Sequence, residues 1–134
     1  MLLPKGTTVA VADGEKLSLF RNTGDEAHPA LTAMAEPEID SVNKGSGSGH
    51  QDSAANPDNN QAAEDGFAGG IAAMLNKRVL DGEIADLVII AAPRTLGELR
   101  KSYHKKLSDV LRCEISKDLT GHPLHDIEKA IAAA

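Results

Sequence analysis

Three short stretches of this chain hold side chains whose types and spacing suit chemistry. Pro93-Arg94-Thr95 stands where an apolar run, Leu87 to Ala92, gives way to a helical pattern. A parallel strand that turns into a helix presents free backbone N–H groups and the positive end of the helix dipole, and both favour an anion. Arg94 adds a fork-shaped cation, and Arg100 and Lys101 add charge further along. Lys117-Asp118-Leu119-Thr120 follows the last apolar run and precedes Pro123, so it forms another strand-to-helix turn at the same sheet edge. Arg94, Thr95, Arg100, Lys101, Lys117, Asp118 and Thr120 are therefore the candidate ligand-binding residues. A plainer reading stands beside this one: Thr95 and Glu98 form a capping box, and Asp118 and Thr120 satisfy backbone groups in their turn. The third stretch, Gly45-Ser46-Gly47-Ser48-Gly49-His50-Gln51, sets glycines beside a glutamine. Glycines free the backbone and a Gln amide can hold a water, which makes Gln51 the one catalytic candidate. Most stretches of this composition are flexible loops.

Other constellations fail on inspection. A two-metal nuclease needs several carboxylates converging on a pair of cations. Asp13, with Glu64 or Asp65, suits such a site, but Ala91-Ala92-Pro93-Arg94 brings no acid, and Asp86 lies at the opposite end of its strand. Asp13 is equally the first residue of a tight turn. His122-x-x-His125 with Asp126 lacks the further ligands of a four-coordinate site, so no metal is expected. The Arg94 turn lacks the glycines of a phosphate cradle, and no cofactor is expected.

Composition narrows the class. The chain has 134 residues, a size suited to one domain over residues 1–134. With two Phe, one Tyr and no Trp, the core must be aliphatic, and a base-stacking platform is disfavoured. The net charge is −6, yet residues 94–112 hold six basic residues against two acidic ones. That local excess is either a binding face or the solvated side of an amphipathic helix. The single cysteine, Cys113, excludes an intrachain disulfide and reads as a small hydrophobe in a strand. The first residues turn polar too soon for a signal peptide, and no apolar run approaches the ~20 residues needed to span a bilayer. A cytoplasmic protein without membrane contact is expected.

The elements that must position these residues follow from pattern. Thr7 to Ala12 is a β-branched, apolar first strand, Asp13-Gly14 a hairpin signal, and Lys16 to Asn22 an alternating second strand. Ala30 to Ile39 is a weaker third strand, placed at an edge because Pro37 has no N–H to donate. Residues 40–62, rich in Gly, Ser, Asn and Asp, read as a long mobile polar loop. Ala62 to Leu80 reads as a helix stopped by Asp81-Gly82. Leu87 to Ala92 is a strand buried on both faces. A helix starting at Thr95 carries the stripe Leu96, Leu99, Tyr103, Leu107, and Val110 to Ile115 is the last strand. Pro123 opens the final helix. The order is β-β-β-α-β-α-β-α, an α/β fold with one mixed sheet and helices on its faces, as in ribonuclease H-like folds. Two right-handed crossovers and the strand order 3-2-1-4-5, with strand 2 antiparallel, are expected.

The assembled residues resemble the host attachment protein family ("protein required for attachment to host cells"). The likeness is carried by Val9-Ala10-Val11-Ala12-Asp13-Gly14 with the following Leu19-Phe20-Arg21-Asn22, by the polar, Gly-rich loop, by Ala91-Ala92-Pro93-Arg94-Thr95-Leu96-Gly97-Glu98-Leu99-Arg100, and by Lys117-Asp118-Leu119-Thr120 with His122-Pro123. That family is distantly similar to the middle domain of archaeal and eukaryotic class I peptide release factors, which has a ribonuclease H-like core and a Gly-Gly-Gln tip in the loop after strand 3. Here that loop holds Gly49-His50-Gln51, a departure that weighs against peptidyl-tRNA hydrolysis. The resemblance implies an RNA- or ribosome-linked ancestry and an indirect, intracellular role in attachment. Three readings follow: a non-enzymatic module that binds RNA, the ribosome or another phosphate-rich partner; a peptidyl-tRNA or ester hydrolase using Gln51; and a regulatory or structural module acting through a protein partner.

Overall fold

Five strands pair in the order β3-β2-β1-β4-β5 in the computed structural model, which describes residues 1–39 and 57–134. They are β1 (Thr8–Ala12), β2 (Leu17–Asn22), β3 (Leu31–Ala33), β4 (Leu87–Ala91) and β5 (Leu111–Ser116). β1 runs antiparallel to β2 and parallel to β4, and β4 runs parallel to β5. The strand order and the antiparallel β2 agree with the sequence expectation. The helices are α1 (Pro57–Leu80), α2 (Pro93–Arg100), α3 (Lys105–Val110) and α4 (Leu124–Ala133).

Every residue of β1 and β4 is buried, which explains the apolar runs Val9–Ala12 and Leu87–Ala91. Successive side chains alternate between two faces. Ala10, Leu19, Leu87 and Ile89 meet Ile71 and Leu75 of α1, Leu96 and Leu99 of α2, and Leu107 of α3. Val9, Val11, Val88, Ile90 and Ile115 meet Leu3 and, from α4, Ile127 and Ile131. Among the described residues, no helix is long and apolar enough to cross a membrane.

Several boundaries depart from the sequence reading. β3 ends at Ala33, and its ladder is carried one bond further by Met34 N–H to the Leu19 carbonyl at 2.8 Å. It is an edge strand, as expected. α1 starts at Pro57, where a missing N–H costs nothing in the first turn. It stops at the expected place, because Gly82 takes a φ of 83° and returns its N–H to the Val79 carbonyl.

The single helix expected from Thr95 is two helices. α2 begins at Pro93, with Ala92 as N-cap and no side-chain cap, so the Thr95–Glu98 capping box does not form. Thr95 instead sits inside the first turn and is buried. The chain breaks after Lys101 and restarts where His104 Nδ1 accepts from the Lys106 N–H at 2.9 Å. Asn76 of α1 bridges the break, donating to the Ser102 carbonyl and accepting from the His104 N–H. The apolar stripe survives this break, since Leu96, Leu99, Tyr103 and Leu107 all reach the same core. Val110 belongs to α3, and β5 begins one residue later.

Candidate functional site

The pairings Ala12↔Ala91 and Ala91↔Ser116 bring the carboxyl ends of β1, β4 and β5 side by side. Asp13 therefore leaves β1, Ala92-Pro93-Arg94 leaves β4, and Lys117 leaves β5 at one edge of the sheet. Asp13 Oδ1 accepts the Glu15 N–H at 2.7 Å and the Lys16 N–H at 2.6 Å, closing the β1–β2 turn. Its other oxygen, Oδ2, is 2.7 Å from Thr120 Oγ1. Because β4 separates β1 from β5, the segment Lys117–Thr120 must cross the end of β4 to make this contact.

Thr120 Oγ1 also lies 2.8 Å from Asp118 Oδ1. A hydroxyl carries one proton, so it serves the two carboxylates by turns or as a shared donor. Burial works against the Asp13 charge, but the Thr120 bond, the two backbone bonds and the nearby Lys16 outweigh it and hold the carboxyl below its ordinary value. Gly14 follows, and a Cβ there would come within 2.7 Å of Glu64 Cδ, so glycine admits the Glu64 side chain from α1. Beside this turn lies an open groove of about 420 Å³, lined by apolar Leu17, Ile39 and Phe67 and by polar Glu15, Glu36 and Thr120.

The other candidate residues take varied positions. Arg94 and Lys117 are exposed at adjacent strand exits, and neither forms an ion pair with an acid among the described residues. Thr95 is 6% exposed and beneath the surface. Arg100 donates from Nε and Nη2 to Glu114 Oε1 at 3.0 and 2.7 Å, while Tyr103 Oη donates to Oε2 at 2.7 Å. Burial would raise the Glu114 pKa, but the bonds from Arg100 and Tyr103 and the guanidinium charge leave it lowered. Burial first, and then the bond to Glu114, push the Tyr103 phenol well above its ordinary range. Lys101 donates to Glu98 at 2.7 Å. Asp118 accepts the Thr120 N–H at 3.3 Å, as the plainer reading of that turn requires. Gln51 and the glycines beside it lie outside the described residues.

The basic stretch is thus divided in space. Arg112 pairs with Asp86 at 3.0 Å, at the amino end of the sheet. Lys105 and Lys106 sit on α3, which ends where β5 begins, away from Lys117. β4 itself contributes no acid at its exit, the point at which the sequence departs from the nuclease pattern. His122 Nδ1 lies 3.4 Å from Asp126 Oδ2 on the surface, and no group of three potential metal ligands occurs among the described residues. Sequence reasoning missed the Asp13–Thr120 contact and the Tyr103–Glu114–Arg100 group, whose members come from different elements with no shared motif.

A family model described as bacterial archaeo-eukaryotic release factor family 12 matches residues 6–131. No curated protein matches the chain. The match carries the release-factor side of the resemblance read from the sequence, and host attachment forms no part of its description.

Proposed function

Since the chain belongs to the bacterial archaeo-eukaryotic release factor family 12, we propose that it works at the ribosome as a non-enzymatic binding module that holds RNA phosphate at the carboxyl edge of its sheet. One observation carries this reading. The Ala91↔Ser116 pairing places Arg94 and Lys117 on neighbouring exits, both exposed and without an acidic partner among the described residues. Arg94 offers a planar fork to a phosphate, and Lys117 a compact charge. The Asp13–Thr120–Asp118 contacts hold the turn that presents Lys117. Arg100 braces α2 against β5 through Glu114.

On this reading residues 1–134 act as one domain in the cytoplasm, where ribosomes are. An effect on attachment to host cells would follow only indirectly and rests on the sequence resemblance alone.

Co-sedimentation of the purified chain with ribosomes and with total tRNA, at low and moderate salt, tests the proposal. Binding that weakens with salt and is lost in Arg94→Glu and Lys117→Glu is the expected result. Salt-insensitive binding, or none at low salt, would refute it and turn attention to a protein partner.

A further inference from the structure

We propose that the outer face of α2, formed by Arg94, Gly97 and Lys101, is where an RNA sugar-phosphate backbone comes down onto the protein, with Gly97 left bare to admit it. The inference rests on the ribosome-binding reading above and names the surface of contact. Residues three, four and seven positions apart share one side of a helix, so these three lie in a row. All three are exposed.

Among the described residues, nothing requires glycine at position 97. A Cβ at this position would meet nothing within 4 Å. Its backbone is not in the positive-φ region, which holds only Gly6, Gly82 and Gly121 among the described glycines. It lies inside a regular helix, where alanine is the more stable choice. The fold therefore gives up stability here without a packing return from the described residues or a conformational one. Glycine without such a return fits a close approach from outside.

The flanking charges indicate what approaches. Lys101 is held mainly by Glu98 and is also favoured by Asp65, while Arg94 opposes its protonation, so Arg94 stands near enough to act on it. The Lys101 side chain is 70% exposed and Glu98 22%, so the pair is open to water on its lysine side and the lysine can turn to another anion. A phosphate placed over Gly97 would relieve the repulsion between Arg94 and Lys101 and meet no side chain in between. An apolar partner would gain nothing from either flank.

The test uses the full chain with Gly97→Ala and Gly97→Leu, measuring thermal melting and co-sedimentation with ribosomes and total tRNA. Gly97→Ala is expected to melt about 3–5 °C higher, because a methyl group is added in open space on a helix. The same variant should bind roughly fivefold more weakly or worse, and Gly97→Leu weaker still, as overpacking at a contact requires. Higher melting with unchanged binding would overturn this inference and leave the ribosome-binding reading in place. A lowered melting temperature would reveal an internal role for Gly97 and also overturn it. Absence of wild-type binding at low salt would overturn both readings.

Discussion

Replacing Thr120 with valine removes one hydroxyl and keeps the shape of the side chain. In the native fold that hydroxyl reaches Asp13 Oδ2 at 2.7 Å across 107 residues of sequence, and Asp118 Oδ1 at 2.8 Å. A hydrogen bond to a charged group contributes about 1.5–3 kcal/mol when shielded, and Asp13 is open enough to water to reduce this to about 1 kcal/mol. In a chain of this size that is a fall of about 3–5 °C in melting temperature at neutral pH. The pH dependence follows from the lowered Asp13 pKa. A carboxylate held below its ordinary value of 3.8 stabilises the fold fully above that value, and the contribution fades as pH falls through the lower folded value. Melting curves of wild type and Thr120→Val should therefore differ at pH 7 and converge as pH falls past 3.8 and through the lower folded value. Thr120→Ser, which keeps the donor, should recover most of the loss. An unchanged melting temperature at pH 7, or a gap that persists undiminished in acid, would refute the idea that this bond ties the β5 exit to the β1 exit.

Further outcomes can be measured on other parts of the fold. Tyr103 is the sole tyrosine and the chain has no Trp, so its ionisation can be followed directly by ultraviolet absorbance. The phenol should stay protonated through its ordinary value of 10.0, and stability should fall as pH rises from there, because only the unfolded chain can ionise it. Tyr103→Phe should cost about 1 kcal/mol in denaturant unfolding, since half-buried Glu114 loses a donor. Asn22 is fully buried, donates to the Leu3 carbonyl at 2.8 Å and accepts from Gly24 and Ala30 N–H groups. Asn22→Leu leaves these groups unpaired and should destabilise by about 3 kcal/mol or more, read as a lower urea midpoint. Asn76→Ala should raise hydrogen exchange at His104 and through α3, because it removes both bonds that span the helix break.

The sheet was legible because burial on both faces writes itself into composition. β4 is an unbroken apolar run and β1 is apolar after Thr8, and both are flanked by strands of more mixed character, which places them centrally before any contact is known. The break between α2 and α3 was not legible for the opposite reason. The apolar stripe from Leu96 to Leu107 continues through it, and periodicity reports which side chains face the core, not whether the backbone between them stays helical. What makes the break is a histidine cap at His104 and an asparagine 28 residues upstream, and neither belongs to a recognisable motif. The capping box failed because Pro93 can start the helix two residues before Thr95, and burial then claims the threonine.

The charge excess of residues 94–112 shows most sharply how a sequence count and a surface differ. Counting along the chain gives six cations in one stretch. Folding ties Arg100, Lys101 and Arg112 to Glu114, Glu98 and Asp86, and sends Lys105 and Lys106 toward the start of β5. Lys117, from outside the stretch, joins Arg94 at the edge. The two views predict different salt dependence. Six phosphate contacts to a single strand give a slope of log K on log salt of about −4, whereas Arg94 and Lys117, with or without Lys101, give about −1.4 to −2. The shallow slope is the expected result for ribosome or tRNA binding, and Arg94→Glu should reduce it by about one contact's share of 0.7. A slope near −4 in the wild type would mean that the Arg100 and Arg112 pairs open to meet the ligand, and that the basic stretch acts as one surface after all.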